Sequence, residues 1–118
     1  MANGYEKYLT MEDRLQRSVI TYIKVKYPKA TYIHSPNEGK RTTFERYKAK
    51  VLGTRSGVPD LQILLNGKTL FLELKTESGK LSPNQKAYLE ELKNNGFVAE
   101  VGWGFDDAAM KIDNFFKN

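Results

Sequence analysis

The chain has 118 residues, a length suited to one domain with a hydrophobic core of its own. With 40% hydrophobic and 28% charged residues it has globular composition, and the absence of cysteine excludes disulfides, iron–sulfur clusters, thiolate catalysis and the usual zinc fingers. Lys plus Arg number 19 against 14 Asp plus Glu, a net charge of +5, and no apolar run reaches the roughly 18 residues of a membrane span.

Residues 1–9 are read as a loose N-terminal segment, and Met1 to Thr10 lacks the apolar stretch of a signal peptide, so a cytoplasmic location is expected. Thr10 and Asp13 form a capping box, after which Met11, Leu15, Val19, Tyr22 and Ile23 recur at helical spacing and predict a helix over residues 11 to about 26. Pro28 lies past its end. Tyr32 and Ile33 predict a short strand running into a Pro36-Asn37-Glu38-Gly39 turn. Thr42 and Glu45 form a second capping box for a helix carrying Phe44, Tyr47, Val51 and Leu52, stopped by Gly53. Leu61 to Leu65 and Leu70 to Leu74 flank Asn66-Gly67, the signature of a two-residue type I′ hairpin. Ser82, Pro83 and Gln85 supply an N-cap, an N1 proline and a capping partner for a helix that ends at Gly96. Phe97 to Trp103 reads as a strand and residues 106–117 as a terminal helix. A long helical crossover between the hairpin and the last strand favours parallel pairing there. The expected fold is therefore α/β, a single domain over 1–118: a small mixed sheet with a central hairpin, flanked by helices.

The positive charge is concentrated. Lys40, Arg41, Arg46, Lys48, Lys50 and Arg55 fall in one sixteen-residue window with a single acid, Glu45, and the remainder of the chain is balanced. Such a window is a footprint for a polyanion, most plausibly nucleic acid, or else a solvated helix face. Lys48, Lys50 and Arg55 are candidates for phosphate contacts, and Tyr47 among them is a candidate for stacking.

The hairpin makes a chemical statement. With Asn66 and Gly67 as the loop, Leu65 pairs with Lys68, and the same register sets Asp60 opposite Glu73, with Cβ atoms about 4.5–5.5 Å apart on one face. Lys75 points to that face, while Leu61, Ile63, Leu65, Leu70, Leu72 and Leu74 point to the other and must meet the core. Opposed carboxylates destabilise a sheet unless a cation lies between them, and carboxylate oxygens suit Mg²⁺. The competing reading has Asp60 ending a strand and Glu73 paired with Lys75 in solvent.

Pro59-Asp60, twelve residues, then Glu73-Leu74-Lys75 resembles the signature of the PD-(D/E)xK nucleases. With His34-Ser35-Pro36-Asn37-Glu38-Gly39, Gly57-Val58-Pro59-Asp60-Leu61 and Leu81-Ser82-Pro83-Asn84-Gln85, the chain resembles a virus-type replication-repair nuclease (VRR-NUC) domain from about Glu12 to Met110. The resemblance implies a restriction-endonuclease-like core and Mg²⁺ or Mn²⁺ held by Asp60, Glu73 and the Leu74 carbonyl. It implies that Lys75 orients or deprotonates the attacking water, that Glu12 is a further acidic residue reaching the metal through water, and that Gln85 supports the site. Asp13 competes with Glu12, although capping gives Asp13 a structural task. Stand-alone members resemble Holliday-junction resolvases. The implied activity is thus structure-selective cleavage of DNA, such as a four-way junction, by a homodimer, with phage or mobile-element origin. Alternatives are a flap, nicking or restriction-type endonuclease, and a non-catalytic nucleic-acid-binding module.

Other signals carry less. His34 is the only histidine, so zinc is not expected, although it could line a DNA groove. Asn37 and Glu38 make the turn that follows it or lie beside the site. Gly53 to Gly57 lacks the Lys-Ser/Thr ending of a P-loop. Trp103 reads as core or interface. Met110, Ile112, Phe115 and Phe116 form either a dimer patch or ordinary core.

Overall fold

A two-residue turn seeds the sheet. In the computed structural model, which describes residues 3–36 and 41–117, Asn66 and Gly67 have φ of 52° and 74°, the left-handed pair that a type I′ turn demands. The elements in chain order are α1 (Met11–Lys26), β1 (Thr31–His34), α2 (Thr43–Val51), β2 (Leu61–Leu65), β3 (Lys68–Lys75), α3 (Pro83–Asn94), β4 (Val98–Trp103) and α4 (Phe105–Phe116). The four strands form one mixed sheet in the order β1-β2-β3-β4, antiparallel except for the β3–β4 pair. The α3 crossover makes that last pairing parallel, as expected. Residues 37–40 lie outside the described residues, and with them the Asn37-Glu38-Gly39 turn and Lys40.

The starts of α1, α2 and α3 are chemically specified. Thr10, Thr42 and Ser82 each accept the N3 backbone amide, and Asp13, Glu45 and Gln85 each reach back to the cap amide. Two donors that a helix end would otherwise leave unsatisfied are thereby paired three times over. α4 is different: it starts from Gly104 at φ 85° with no side-chain cap. Before α1, within the segment read as loose, Glu6–Tyr8 form a single 3-10 turn. Glu6 bridges from that turn to Arg14 at 3.5 Å and Arg17 at 2.8 Å.

The aliphatic face of the hairpin is the core. Leu61, Ile63, Leu70, Leu72 and Leu74 pack with Val19 and Ile23 of α1 and Ala108 and Ile112 of α4. Each fully buried Leu or Ile contributes roughly 1.5–3 kcal/mol. Leu65, at the turn, is only half-buried. Ile112 is fully buried and Phe115 and Phe116 pack against the cluster, so these residues of α4 are core; of the four proposed for a dimer patch, Met110 alone is exposed. α3 lies on the other face, where Leu89 and Ala99 are buried.

A polar knot fastens α1 to α4. Asp113 accepts from the Tyr22 and Tyr27 hydroxyls, each at 2.6 Å, and from Lys26 Nζ at 3.0 Å. Burial opposes its charge, but these hydrogen bonds outweigh burial and hold the carboxyl at about 2. Because that value lies below the ordinary carboxylate range, the associated stability is present above about pH 4 and lost as pH falls toward 2. Asp113→Ala is expected to cost about 2–3 kcal/mol in urea unfolding at neutral pH, and to flatten the acid limb of the stability curve.

Candidate active site

Asp60 immediately precedes β2. The backbone ladder closes at Leu61–Leu72, one step before Asp60 and Glu73, and it keeps the register that the turn imposes. The two residues nevertheless meet through their side chains. Asp60 Oδ2 accepts the Leu74 amide at 2.8 Å, which turns the carboxylate across the end of the hairpin. Within a strand the amide and carbonyl of one residue point to the same side, so the Leu74 carbonyl also faces Asp60.

Glu73 occupies the middle of the site and is only 2% exposed, the one buried charged residue among those described. Burial first, then the neighbouring Asp60 charge and a hydrogen bond to it, push its carboxyl up to about 8, against the opposing pull of Lys75. Gln85 Nε2 donates to Glu73 Oε2 at 3.3 Å, while Gln85 Oε1 accepts the Ser82 amide at 2.8 Å. The capping box of α3 and the buried carboxylate are thus held by one side chain. Lys75 Nζ lies 4.0 Å from Glu73 and 3.8 Å from Glu12, with its own side chain largely covered. Glu12 is therefore the acid that α1 turns toward the site, and Asp13 is engaged in the cap.

A divalent cation fits this donor set. Two carboxyl groups forced together, one of them buried and holding a proton well above the usual carboxylate range, relieve their repulsion by taking up positive charge. Oxygen donors of this kind suit Mg²⁺ or Mn²⁺. Among the described residues no group of three or more His, Asp or Glu forms a metal cluster; the oxygens that face one another here are those of Asp60 and Glu73, with the Leu74 carbonyl beside them.

A cleft of about 450 Å³ opens onto Asp60 and Gln85, walled by Ser35, Arg41 and the loop from Gly53 to Val58. Gly57, at φ 82°, presses that loop against α3, where a Cβ would lie 2.5 Å from the Asn84 backbone. Asn84 Nδ2 donates to Ser56 Oγ at 2.8 Å and completes the fastening.

The basic window divides in this structure. Arg46, Lys48 and Lys50 are exposed along α2, and Arg41 is half-buried at the cleft. Arg55 has protein partners as well: it bridges Glu91 at 2.6 and 3.3 Å and lies 4.5 Å from the Tyr88 ring. These contacts tie the loop to α3, while the Arg55 side chain stays half exposed and lines the cleft beside Asp60. His34, the only histidine, has Nδ1 at 2.9 Å from Gln16 Nε2 and 3.2 Å from the Asp60 carbonyl: with the proton on Nδ1 it donates to that carbonyl, and in the other tautomer it accepts from Gln16. Sequence reasoning missed Gln16, although its position one turn after Glu12 places it on the same helix face. Trp103 is half-buried, and its amide donates to Asp107.

The mixed sheet, its flanking helices and the Asp60–Glu73–Lys75 grouping at the end of a hairpin define a nuclease-type fold. The family model for the VRR-NUC domain matches residues 7–105, and the chain belongs to that family. It is similar to a solved structure described as a VRR_NUC domain protein, at 27% identity and a TM-score of 0.73 over 92% of this chain and 90% of that one. It is also similar to a solved VRR_NUC domain, at 25% identity and a TM-score of 0.64 over 92% of this chain and all of that one. No curated protein matches. Placement among the PD-(D/E)xK nucleases is consistent with this membership, and no helix among the described residues is long and apolar enough to cross a membrane.

Proposed function

We propose that the protein is a metal-dependent endonuclease that hydrolyses DNA phosphodiester bonds, selects branched structure such as a four-way junction, and acts as a homodimer. The observation that carries this reading is the pairing of Asp60 with a buried, proton-holding Glu73 beside Lys75. Asp60, Glu73 and the Leu74 carbonyl would hold Mg²⁺ or Mn²⁺, with Glu12 reaching the metal through water. When bound, such an ion polarises the phosphoryl oxygens and lowers the pKa of water.

The protein's own residues do the rest. Lys75 places positive charge where negative charge builds during attack, and its largely covered side chain keeps that charge in place. It also stands beside the water that must lose a proton. Gln85 fixes the Glu73 carboxylate, and the Leu74 amide fixes Asp60. Arg46, Lys48 and Lys50 hold backbone phosphates without reading sequence, with Lys40 and Arg41 extending the same basic stretch. Selectivity for shape agrees with a chain whose charge is concentrated in one stretch, and cutting both strands of a junction requires two copies of a chain that carries one such site.

A labelled panel tests this: four-way junction, flap, nicked duplex, plain duplex and single strand, each with Mg²⁺, Mn²⁺ or chelator. Paired symmetric cuts on the junction, abolished by chelator, are the expected outcome. Metal-dependent cuts confined to the other substrates would remove the resolvase assignment, and tight binding without cutting under all conditions would remove the enzyme.

A further inference from the structure

α2 is amphipathic, and its apolar stripe lies mostly in water among the described residues. No side chain of the helix is buried. Phe44 is 69% exposed, Tyr47 66%, Val51 63% and Leu52 71%. A nine-residue helix is marginal by itself, so two large aromatic side chains held out in water at i and i+3 await an occupant.

The pattern selects which occupant. Lys48 sits inside the stripe, one turn after Phe44 and one turn before Leu52, and Arg46 and Lys50 flank Tyr47 on its other side. Packing against an apolar protein surface, or against the same face of a second copy, would bury Lys48 without a carboxylate, since Glu45 on this helix is engaged in the capping box. A polyanion with flat apolar faces meets both requirements at once. Position agrees: Arg41 before the helix and the Gly53–Gly57 loop after it both wall the cleft that opens onto Asp60.

We propose that α2 is a base-engaging helix: Phe44 and Tyr47 stack on unpaired bases next to the scissile phosphate while Lys48, Arg46 and Lys50 hold the flanking backbone. Paired bases within a duplex hide their faces, so this helix prefers DNA whose bases are already unstacked, as at the mouth of a branch. The inference rests on the nuclease reading of the Asp60–Glu73 site and adds to it the feature of DNA that is selected.

The test is binding, measured with chelator present so that no strand is cut. Fluorescence anisotropy compares a splayed-arm DNA with unpaired bases and a fully paired duplex of equal length, and 2-aminopurine at the first unpaired position reports stacking. The Phe44→Ala/Tyr47→Ala double variant is expected to bind the splayed arm about tenfold or more weakly, to lose the 2-aminopurine quenching, and to bind duplex within about twofold of the parent. Phe44→Trp, which keeps a ring, should retain the preference. Equal losses on both DNAs, or no loss on either, would overturn the proposal. So would a dimer that becomes a monomer in the double variant with the splayed-arm preference intact, because a second copy would then be the occupant. A splayed-arm preference with no metal-dependent cleavage on any substrate would leave this helix its role and remove the nuclease reading instead.

Discussion

Asp60→Asn is expected to reduce cleavage on the order of 10³-fold or more while leaving the protein folded. Asparagine is the informative choice because its carbonyl oxygen can still accept the Leu74 amide, which Asp60 Oδ2 takes at 2.8 Å. The backbone at the end of the hairpin therefore keeps its partner, and what is lost is a negative charge and a carboxylate donor. Removing that charge also relieves Glu73, whose carboxyl is pushed up in part by Asp60. Metal-free Asp60→Asn should accordingly melt no lower than the parent near neutral pH. Single-turnover cleavage and a thermal melt on the same preparation separate the two effects, and near-parental cleavage by a folded variant would sink the assignment of Asp60 to the site.

The second large effect is a pH dependence of opposite sign from the one Asp113 produces. Glu73 ionises in the unfolded chain near 4.5 but in the fold only at about 8, because burial and then the Asp60 charge penalise its carboxylate. A carboxyl raised in the fold contributes stability that is fully present below the unfolded value and is lost as pH climbs through the folded one. Metal-free protein should therefore lose stability from about pH 4.5 to about pH 8, and Glu73→Gln should remove that slope. Mg²⁺ reverses the preference, since a metal ligand must be deprotonated: affinity should rise up to about tenfold per pH unit below pH 8 and level off above it. Calorimetric titration with Mg²⁺ at pH 6, 7, 8 and 9 measures the linkage directly. An affinity independent of pH across that range would show that Glu73 gives up no proton to the ion.

Much of this arrangement was legible because short-range chemistry governs it. Asn66-Gly67 leaves one comfortable turn, the turn leaves one register, and the register sorts Leu70, Leu72 and Leu74 to one face and Glu73 and Lys75 to the other. The three capping boxes are equally local and mark the helix starts. What stayed hidden depends on side chains that are distant in sequence. The bridge from Arg55 to Glu91, thirty-six residues later, is invisible to any local pattern. The Asp113 knot joins two helices from opposite ends of the chain. The contact of Asp60 with the Leu74 amide is a rotamer choice made beyond the last rung of the ladder, so register alone brought the residue near without saying how it is held. α2 shows the converse: its helical period was plain, but periodicity does not reveal whether an apolar stripe has anything to lie on.

The double engagement of Gln85 bears on why that residue is an amide. A helix of this kind starts as well with glutamate three residues after the cap, as α2 does with Glu45. Glutamate could accept the Ser82 amide, yet it has no hydrogen to offer Glu73 and would bring a third negative charge toward a pair already in conflict. A side chain that accepts at one end and donates at the other serves both neighbours, so the buried carboxylate, and not the helix start alone, calls for an amide at position 85.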